Sequence, residues 1–238
     1  SNSWWRILKA DMDTDATNDN QALVIKEQAL TDQETGDGTA MVQFDTTATN
    51  WNSPYFHDDS TSTGYGESHL KAVIDSYYNT SIAPTYSNYV LPVDLDLPNW
   101  SRYSDNILFN QYDSNLPLAY DNWYWQDWQS YYTDNRFPTS LAPLTVLKQQ
   151  AFALSYGDIQ SLDKSTFYEY NGGSQSDTGY YSTLLDFTTI DNKYPFFWLR
   201  SAGGYYYNAG MVANGRFHHD VGLNHVLPVR PALAIQLD

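Results

Sequence analysis

The stretch from Phe196 to Leu237 constrains this chain more than any other. Phe196-Phe197-Trp198-Leu199-Arg200-Ser201 is a mainly apolar run that leads into Gly203-Gly204, the pattern of a buried strand bounded by a turn. Tyr206–Ala213 and Arg216–His219 flank Asn214-Gly215. Asn-Gly is the strongest short hairpin signal, because both turn residues must adopt positive φ. Val226–Leu237 reads as a closing strand through Pro228 and Pro231. Each proline removes a ladder donor, so that strand is expected to begin at an edge or bulge.

The N-terminal end repeats the pattern. Trp4–Ala10 and Gln21–Lys26 read as two strands of an antiparallel hairpin, joined by a long acidic loop from Asp11 to Asn20. These strands are expected to share a sheet with Val229–Leu237. Thr31–Gly38 reads as a polar loop. The clearest helix is Glu67–Asn79, where Leu70, Val73, Ile74, Tyr77 and Tyr78 follow the i, i+3, i+4, i+7, i+8 spacing of one buried stripe. Asn79-Thr80-Ser81 and Pro84 are expected to end it. Pro92, Pro98, Pro117 and Pro138 then interrupt any long element. Gln150–Ser155 reads as a short buried strand, Asp158–Asp163 as one helical turn, and Gly172–Gly179 as a loop. With no internal repeat and no clean linker, residues 1–238 are expected to form one domain.

Composition narrows the function. The chain carries 12 Lys and Arg against 28 Asp and Glu, a net charge of −16. Nucleic-acid binding needs a basic face to replace phosphate counterions, and an anionic membrane would repel this chain. No apolar run is long enough to span a bilayer. Cysteine is absent, which excludes disulfides, thiol catalysis and thiolate-bound zinc. The chain is nevertheless no disordered acidic tail: 16% of it is aromatic and only 17% charged, whereas disordered acidic segments are poor in aromatics. Abundant Tyr and Thr suit pleated, half-buried surfaces, and abundant Asn, Asp and Ser suit turns. That bias is expected of a β-rich extracellular domain. Ser1 is not an initiating Met, and the chain is read as cut from a longer protein.

Trp198-Leu199-Arg200-Ser201-Ala202-Gly203, the later Gly215 and Val229-Arg230-Pro231-Ala232-Leu233 together resemble an uncharacterised bacterial domain family with a WLRS-G…G…VRPAL signature. That family is frequent in surface proteins of Gram-positive bacteria and is distantly similar to C-type-lectin-like folds, including the sulfatase-modifying group. Trp5–Leu8 and Ala22–Ile25 resemble its opening hairpin, Ser68–Tyr78 its first helix and Ala151–Ser155 its central strand. Residues 88–144 match nothing in it and read as an insertion. The resemblance implies an α+β, C-type-lectin-like fold with Trp198, Arg200 and Arg230 as structural residues. A buried Arg needs a carboxylate or several carbonyls.

Four groups of residues are candidate sites. Asp11, Asp13 and Asp15 offer the oxygen ligands that calcium prefers, but the loop lacks the glycine and closing Glu of an EF-hand, and a solvated hairpin tip is the preferred reading. His218-His219-Asp220 with His225, and His57-Asp58-Asp59, could hold a metal; adjacent strand residues point to opposite faces, which favours plain surface loops. Catalysis has little to stand on. The sulfatase-modifying enzymes hold copper with a cysteine pair that this chain lacks, and Gly173-Ser174 lacks the setting of a nucleophile elbow. The aromatic surplus is the fourth. Trp123, Trp125 and Trp128 beside Asp121 and Asp127, and Tyr205, Tyr206 and Asn208, combine rings that stack on sugar C–H faces with groups that bond hydroxyls.

The expected function is non-enzymatic recognition: an extracellular module of a bacterial cell-surface adhesin that binds host or environmental glycan or glycoprotein beside other domains of the same protein. No cofactor is expected, the calcium loop aside. The alternative is a structural spacer or assembly domain. A third reading is a degenerate relative of the sulfatase-modifying enzymes.

The charge carries a prediction of its own. Self-repulsion at a net charge of −16 relaxes as pH falls toward the pI of about 4.3. Carboxylates with native partners act oppositely, because protonating them removes stability. Repulsion is expected to dominate, so the melting temperature at pH 5 should equal or exceed that at pH 7; a clear fall at pH 5 would contradict this.

Overall fold

A computed structural model describes residues 3–10, 20–46, 64–98, 144–155, 158–159, 162, 167–171, 178–202 and 208–237. Its architecture is α+β, and the strands pair antiparallel.

Strands β1 (Trp5–Lys9) and β2 (Gln21–Lys26) form the expected hairpin, with Trp5 opposite Lys26 and Ile7 opposite Val24. A bulge between Ile7 and Lys9 brings Lys9 opposite Leu23. Every residue from Ala22 to Lys26 is buried, the mark of a strand covered on both faces. The polar segment after β2 differs from expectation, because Asp32–Thr35 is a short helix, α1. Thr31 accepts from the Glu34 amide while the Glu34 side chain accepts from the Thr31 amide, a reciprocal capping box. Gly36, at φ 77°, closes the turn in the left-handed region.

Strand β3 (Met41–Gln43) follows, then a 3₁₀ turn over Gly64–Glu67 and helix α2 (His69–Tyr77). Ser68 caps α2 by accepting from the Lys71 amide at 3.1 Å. The predicted stripe Leu70, Val73, Ile74, Tyr77 and Tyr78 is buried throughout. The helix does not stop where expected. A π-helical turn over Tyr78–Ile82 carries it into α3 (Ala83–Tyr86). Pro84 then lies in the first turn of α3, where a missing N–H costs nothing.

Strand β4 (Val90–Leu91) leads into β5 (Val93–Pro98), which pairs with β6 (Leu144–Gln149) along its whole length, from Val93 opposite Gln149 to Pro98 opposite Leu144. Of the short buried strand expected at Gln150–Ser155, only Ala151–Phe152 forms a strand, β7; Ala153–Ser155 are buried outside it and Gln150 is an exposed bend. Of the turn expected at Asp158–Asp163, Asp158 and Ile159 are helical. Strands β8 (Phe167–Asn171) and β9 (Thr178–Ser182) pair with each other. Thr178 and Gly179, expected in a loop, therefore open a strand, with Thr178 opposite Asn171.

The C-terminal strands are β10 (Phe196–Ala202), β11 (Asn208–Ala213), β12 (Arg216–Gly222), β13 (Val226–Pro228) and β14 (Ala232–Gln236). Asn214 and Gly215 take φ 51° and 77° between β11 and β12, the two positive values that an Asn-Gly hairpin turn requires. The expected single closing strand is two. Strand β13 pairs with β3, whereas β14 pairs with β2 from Ala232 opposite Ile25 to Gln236 opposite Gln21. The break falls at Val229-Arg230-Pro231, where the chain changes partners and proline has no donor for a continuous ladder.

Two larger sheets result, one ordered β1-β2-β14-β4 with β7 also on β14, the other β10-β11-β12-β9-β8. The opening hairpin and the final strand thus share a sheet, as expected. A contiguous core joins residues of both sheets to α2. At its centre Trp198 donates to the Val42 carbonyl at 2.8 Å and meets Phe44 edge-on at 5.6 Å. The Tyr65 hydroxyl accepts from the Ala153 amide at 3.1 Å.

Burial pushes the Tyr77 phenol up to about 12, with the Glu34 charge adding to it and a hydrogen bond with Ser3 opposing it. Burial likewise pushes Tyr65 well above its usual value of 10.0. A phenol whose folded pKa is raised contributes stability that is complete below 10.0 and is lost as pH rises through the folded value. Between about pH 9 and 11.5 the melting temperature of the native chain should therefore fall more steeply than that of Tyr77→Phe. Parallel curves would show that Tyr77 ionises freely in the folded state.

Candidate functional site

The two arginines picked out by sequence sit in two distinct polar clusters, and each is spent on the fold. Arg230 lies between β13 and β14 with its side chain fully buried. One terminal nitrogen donates to the carbonyls of Lys26, at 3.3 Å, and Glu27. The other donates to Asp191 Oδ2 at 2.8 Å and the Tyr194 carbonyl at 2.7 Å. Its guanidinium stands 4.0 Å from the Phe187 ring centre. Burial pushes Arg230 down to about 10, while the Asp191 carboxylate beside it pulls the other way; it stays charged at neutral pH. Asp191 also accepts from the amides of Ala29 and Tyr194 at 3.0 and 3.2 Å.

Arg6, on β1, extends this cluster. It grips Glu27 with two nitrogens at 2.9 and 2.5 Å and donates to the carbonyls of Leu184 and Asp186 at 2.9 and 2.8 Å. It also stands 4.2 Å from the centre of the same Phe187 ring, so one aromatic ring serves two cations. Lys26 is buried close by, with its amine on the Gln28 carbonyl at 3.2 Å and Glu34 Oε2 at 3.4 Å. Burial lowers its pKa and the Glu34 carboxylate resists that.

Arg200, on β10, makes the second cluster. It forks onto both carboxylate oxygens of Asp158 and donates to the Ala153 carbonyl at 2.7 Å. Asp158 in turn accepts from the Ser155 amide at 2.8 Å, and Ser155 Oγ accepts from the Asp158 amide at 3.0 Å. Trp198, Arg200 and Arg230 thus each bond groups of the chain itself. The terminal nitrogens of both arginines and the Trp198 indole end on carbonyls and carboxylates of this chain, while Arg230 Nε is buried without a partner among the described residues.

The other expected residues divide. Trp123, Trp125, Trp128, Asp121, Asp127, Tyr205 and Tyr206 lie outside the described residues, as do Asp11, Asp13, Asp15 and the His57 cluster. Asn208 opens β11 opposite Gly222. His218 and His225 are exposed. Among the described residues, no three His, Cys, Asp or Glu side chains gather as a metal site.

Residues 88–144, read as an insertion, include strands of the described fold. Val90 and Leu91 pair with Ile235 and Ala234, so they belong to the main sheet, and the departure begins at β5. The β5–β6 ribbon leaves there, anchored by buried Leu95 and Gln149, and it brackets residues 99–143.

Exposure sorts the remaining aromatic rings. Phe44, Tyr65, Tyr77, Phe152, Phe187, Phe197 and Trp198 are buried, whereas Trp4 is 73% exposed, Tyr86 54% and Tyr89 46%. The two tyrosines do not stand out in the sequence, because the helix is expected to end before Pro84. The available signal is the Ser87-Asn88 pair between them, which favours a turn.

Comparison with protein-family models, curated proteins and solved structures finds no match to this chain.

If the Arg230 cluster is a structural tie, breaking it should cost what other broken buried ion pairs cost. Arg230→Ala should destabilise by roughly 3–5 kcal/mol, because it leaves a buried carboxylate without its cation. His225→Ala, on the surface, should stay within about 0.5 kcal/mol. Urea unfolding of both variants measures this, and a loss under about 1 kcal/mol for Arg230→Ala would refute the tie.

Proposed function

We propose that this chain is a non-enzymatic recognition domain of C-type-lectin-like fold, displayed on a bacterial cell surface as part of an adhesin, and that it binds glycan or glycoprotein. The observation that carries the reading is the β5–β6 ribbon. The ribbon pairs Pro98 with Leu144, so residues 99–143 begin and end at adjacent points. That segment holds Trp100, Trp123, Trp125 and Trp128, half of the chain's eight tryptophans. A segment closed at its root can vary without disturbing the core, and binding residues concentrate on such excursions from a rigid scaffold. Trp123, Trp125 and Trp128 would be the stacking platform, with Asp121 and Asp127 accepting from sugar hydroxyls. The clusters around Arg200 and Arg230 support the same division, since they fasten the scaffold and leave recognition to the excursions.

A second reading, a spacer or assembly domain, is favoured by one observation. Trp4 and Ile7 are both more than half exposed, and β1 lies at the end of its sheet; an apolar edge of that kind can pack against a neighbouring domain.

Alanine substitution separates platform from core. Trp198→Ala, in the core, should cost roughly 3–5 kcal/mol. At least one of Trp123→Ala, Trp125→Ala and Trp128→Ala should leave the melting temperature unchanged and lower binding on a glycan and matrix-protein array at least tenfold, since a few aromatic anchors carry most interface energy. Destabilisation like that of Trp198→Ala at all three positions would remove the platform.

A further inference from the structure

We infer that the turn Tyr86–Tyr89 is a second carbohydrate contact surface, one that takes a neutral saccharide; the inference rests on the recognition reading above. The turn closes with the Tyr89 amide donating to the Tyr86 carbonyl at 2.9 Å. Such a bond holds the two Cα atoms within about 7 Å of each other. Both rings are about half exposed, and Ser87 and Asn88 between them are exposed too. Two rings with a hydroxyl and a carboxamide between them supply the stacking faces and the hydrogen-bonding groups that a saccharide needs.

The turn is built to hold this arrangement before any ligand arrives. Helix α3 and Pro84 fix its entry. Buried Ile82 and Val90 pin the chain on either side, and the Gln236 amide on β14 donates to the Tyr89 carbonyl at 2.8 Å. A preorganised surface loses little entropy on binding. From the turn the chain runs through β4 straight into β5, the strand that leads to residues 99–143.

Charge selects the ligand class. No charged residue occurs between Asp75 and Asp94, in a chain whose net charge is −16. The turn's own residues therefore supply no cation for a sialic acid or sulfate and no carboxylate for calcium. Its exposed residues include no aliphatic side chain larger than proline, which disfavours a protein partner that buries apolar surface. A neutral sugar, stacked on rings and bonded by amide and hydroxyl, satisfies each of these conditions.

The test uses the whole chain on an array of neutral, sialylated and sulfated oligosaccharides, followed by titration with the strongest neutral binder. The double variant Tyr86→Ala/Tyr89→Ala should keep its melting temperature and lose affinity at least tenfold. Tyr86→Phe/Tyr89→Phe keeps the stacking faces and should stay within about threefold. The single Tyr86→Ala, at the more exposed ring, is measured alongside, so that a folding defect at Tyr89 cannot mask the result; it should lose affinity at least threefold. Full binding by both Ala variants, with loss in Trp123→Ala, would overturn this surface and leave the recognition reading standing. Binding confined to sialylated or sulfated oligosaccharides would overturn the neutral class. No binding to any saccharide would overturn both the surface and the reading on which it rests.

Discussion

The buried guanidinium of Arg230 is the constraint around which the two main sheets are arranged. It sits where the closing chain passes from β13 to β14, and it gathers groups from three places: the Lys26 and Glu27 carbonyls at the end of β2, the Asp191 carboxylate and the Tyr194 carbonyl. Asp191 and Tyr194 precede β10, the first C-terminal strand of the second sheet. A cation in the interior is costly unless its donors are met and its charge is paired. Arg230 meets these conditions at its two terminal nitrogens and through Asp191, while its Nε is buried without a partner among the described residues. Arg6 reinforces the arrangement from β1, and Phe187, edge-on to Phe197 at 5.7 Å, ties the charged cluster to the apolar core.

The same arrangement bears on the surface. The chain has only 12 cations, and Arg6, Lys26, Arg200 and Arg230 are drawn into the interior or its margin. Each takes one carboxylate with it, so these pairs are neutral. Setting these four pairs aside leaves eight cations (12 − 4) against 24 acids (28 − 4) in the rest of the chain, a threefold excess where the net count is already −16. A net charge of −16 disfavours approach to anionic surfaces.

Much of the fold was legible because local patterns and tertiary packing agree. The Ala22–Lys26 run, the α2 stripe and Asn214-Gly215 each state their own geometry. The misses have physical causes. Thr31-Asp32-Gln33-Glu34 reads as polar loop by composition, while its capping box makes a helical turn. Pro84 reads as a stop, but a π turn places it at a helix start. The closing strand divides because its middle must deliver Arg230 to partners that sequence does not reveal: Asp191 lies 39 residues away and the Lys26 carbonyl 204. A buried Arg announces that it needs acceptors without naming them. The aromatic surplus was legible in composition and the burial of Tyr77 in its helical spacing, whereas exposure was needed to separate Tyr86 and Tyr89 from Tyr65, which lies in no periodic stripe.

The proposed recognition function would set a conflict that an excursion on a paired ribbon resolves. Large rings bind sugars only when they are exposed, yet exposed rings near a core compete for burial in it. The β5–β6 ribbon runs from Val93 opposite Gln149 to Pro98 opposite Leu144, and Leu95 is buried on it before the ring-rich segment begins. The entropic cost of the excursion grows only with the logarithm of its length, and the ladder between β5 and β6 meets the cost of bringing its ends together. The Tyr86–Tyr89 turn lies between two core residues, Ile82 and Val90, with both of its tyrosines about half exposed.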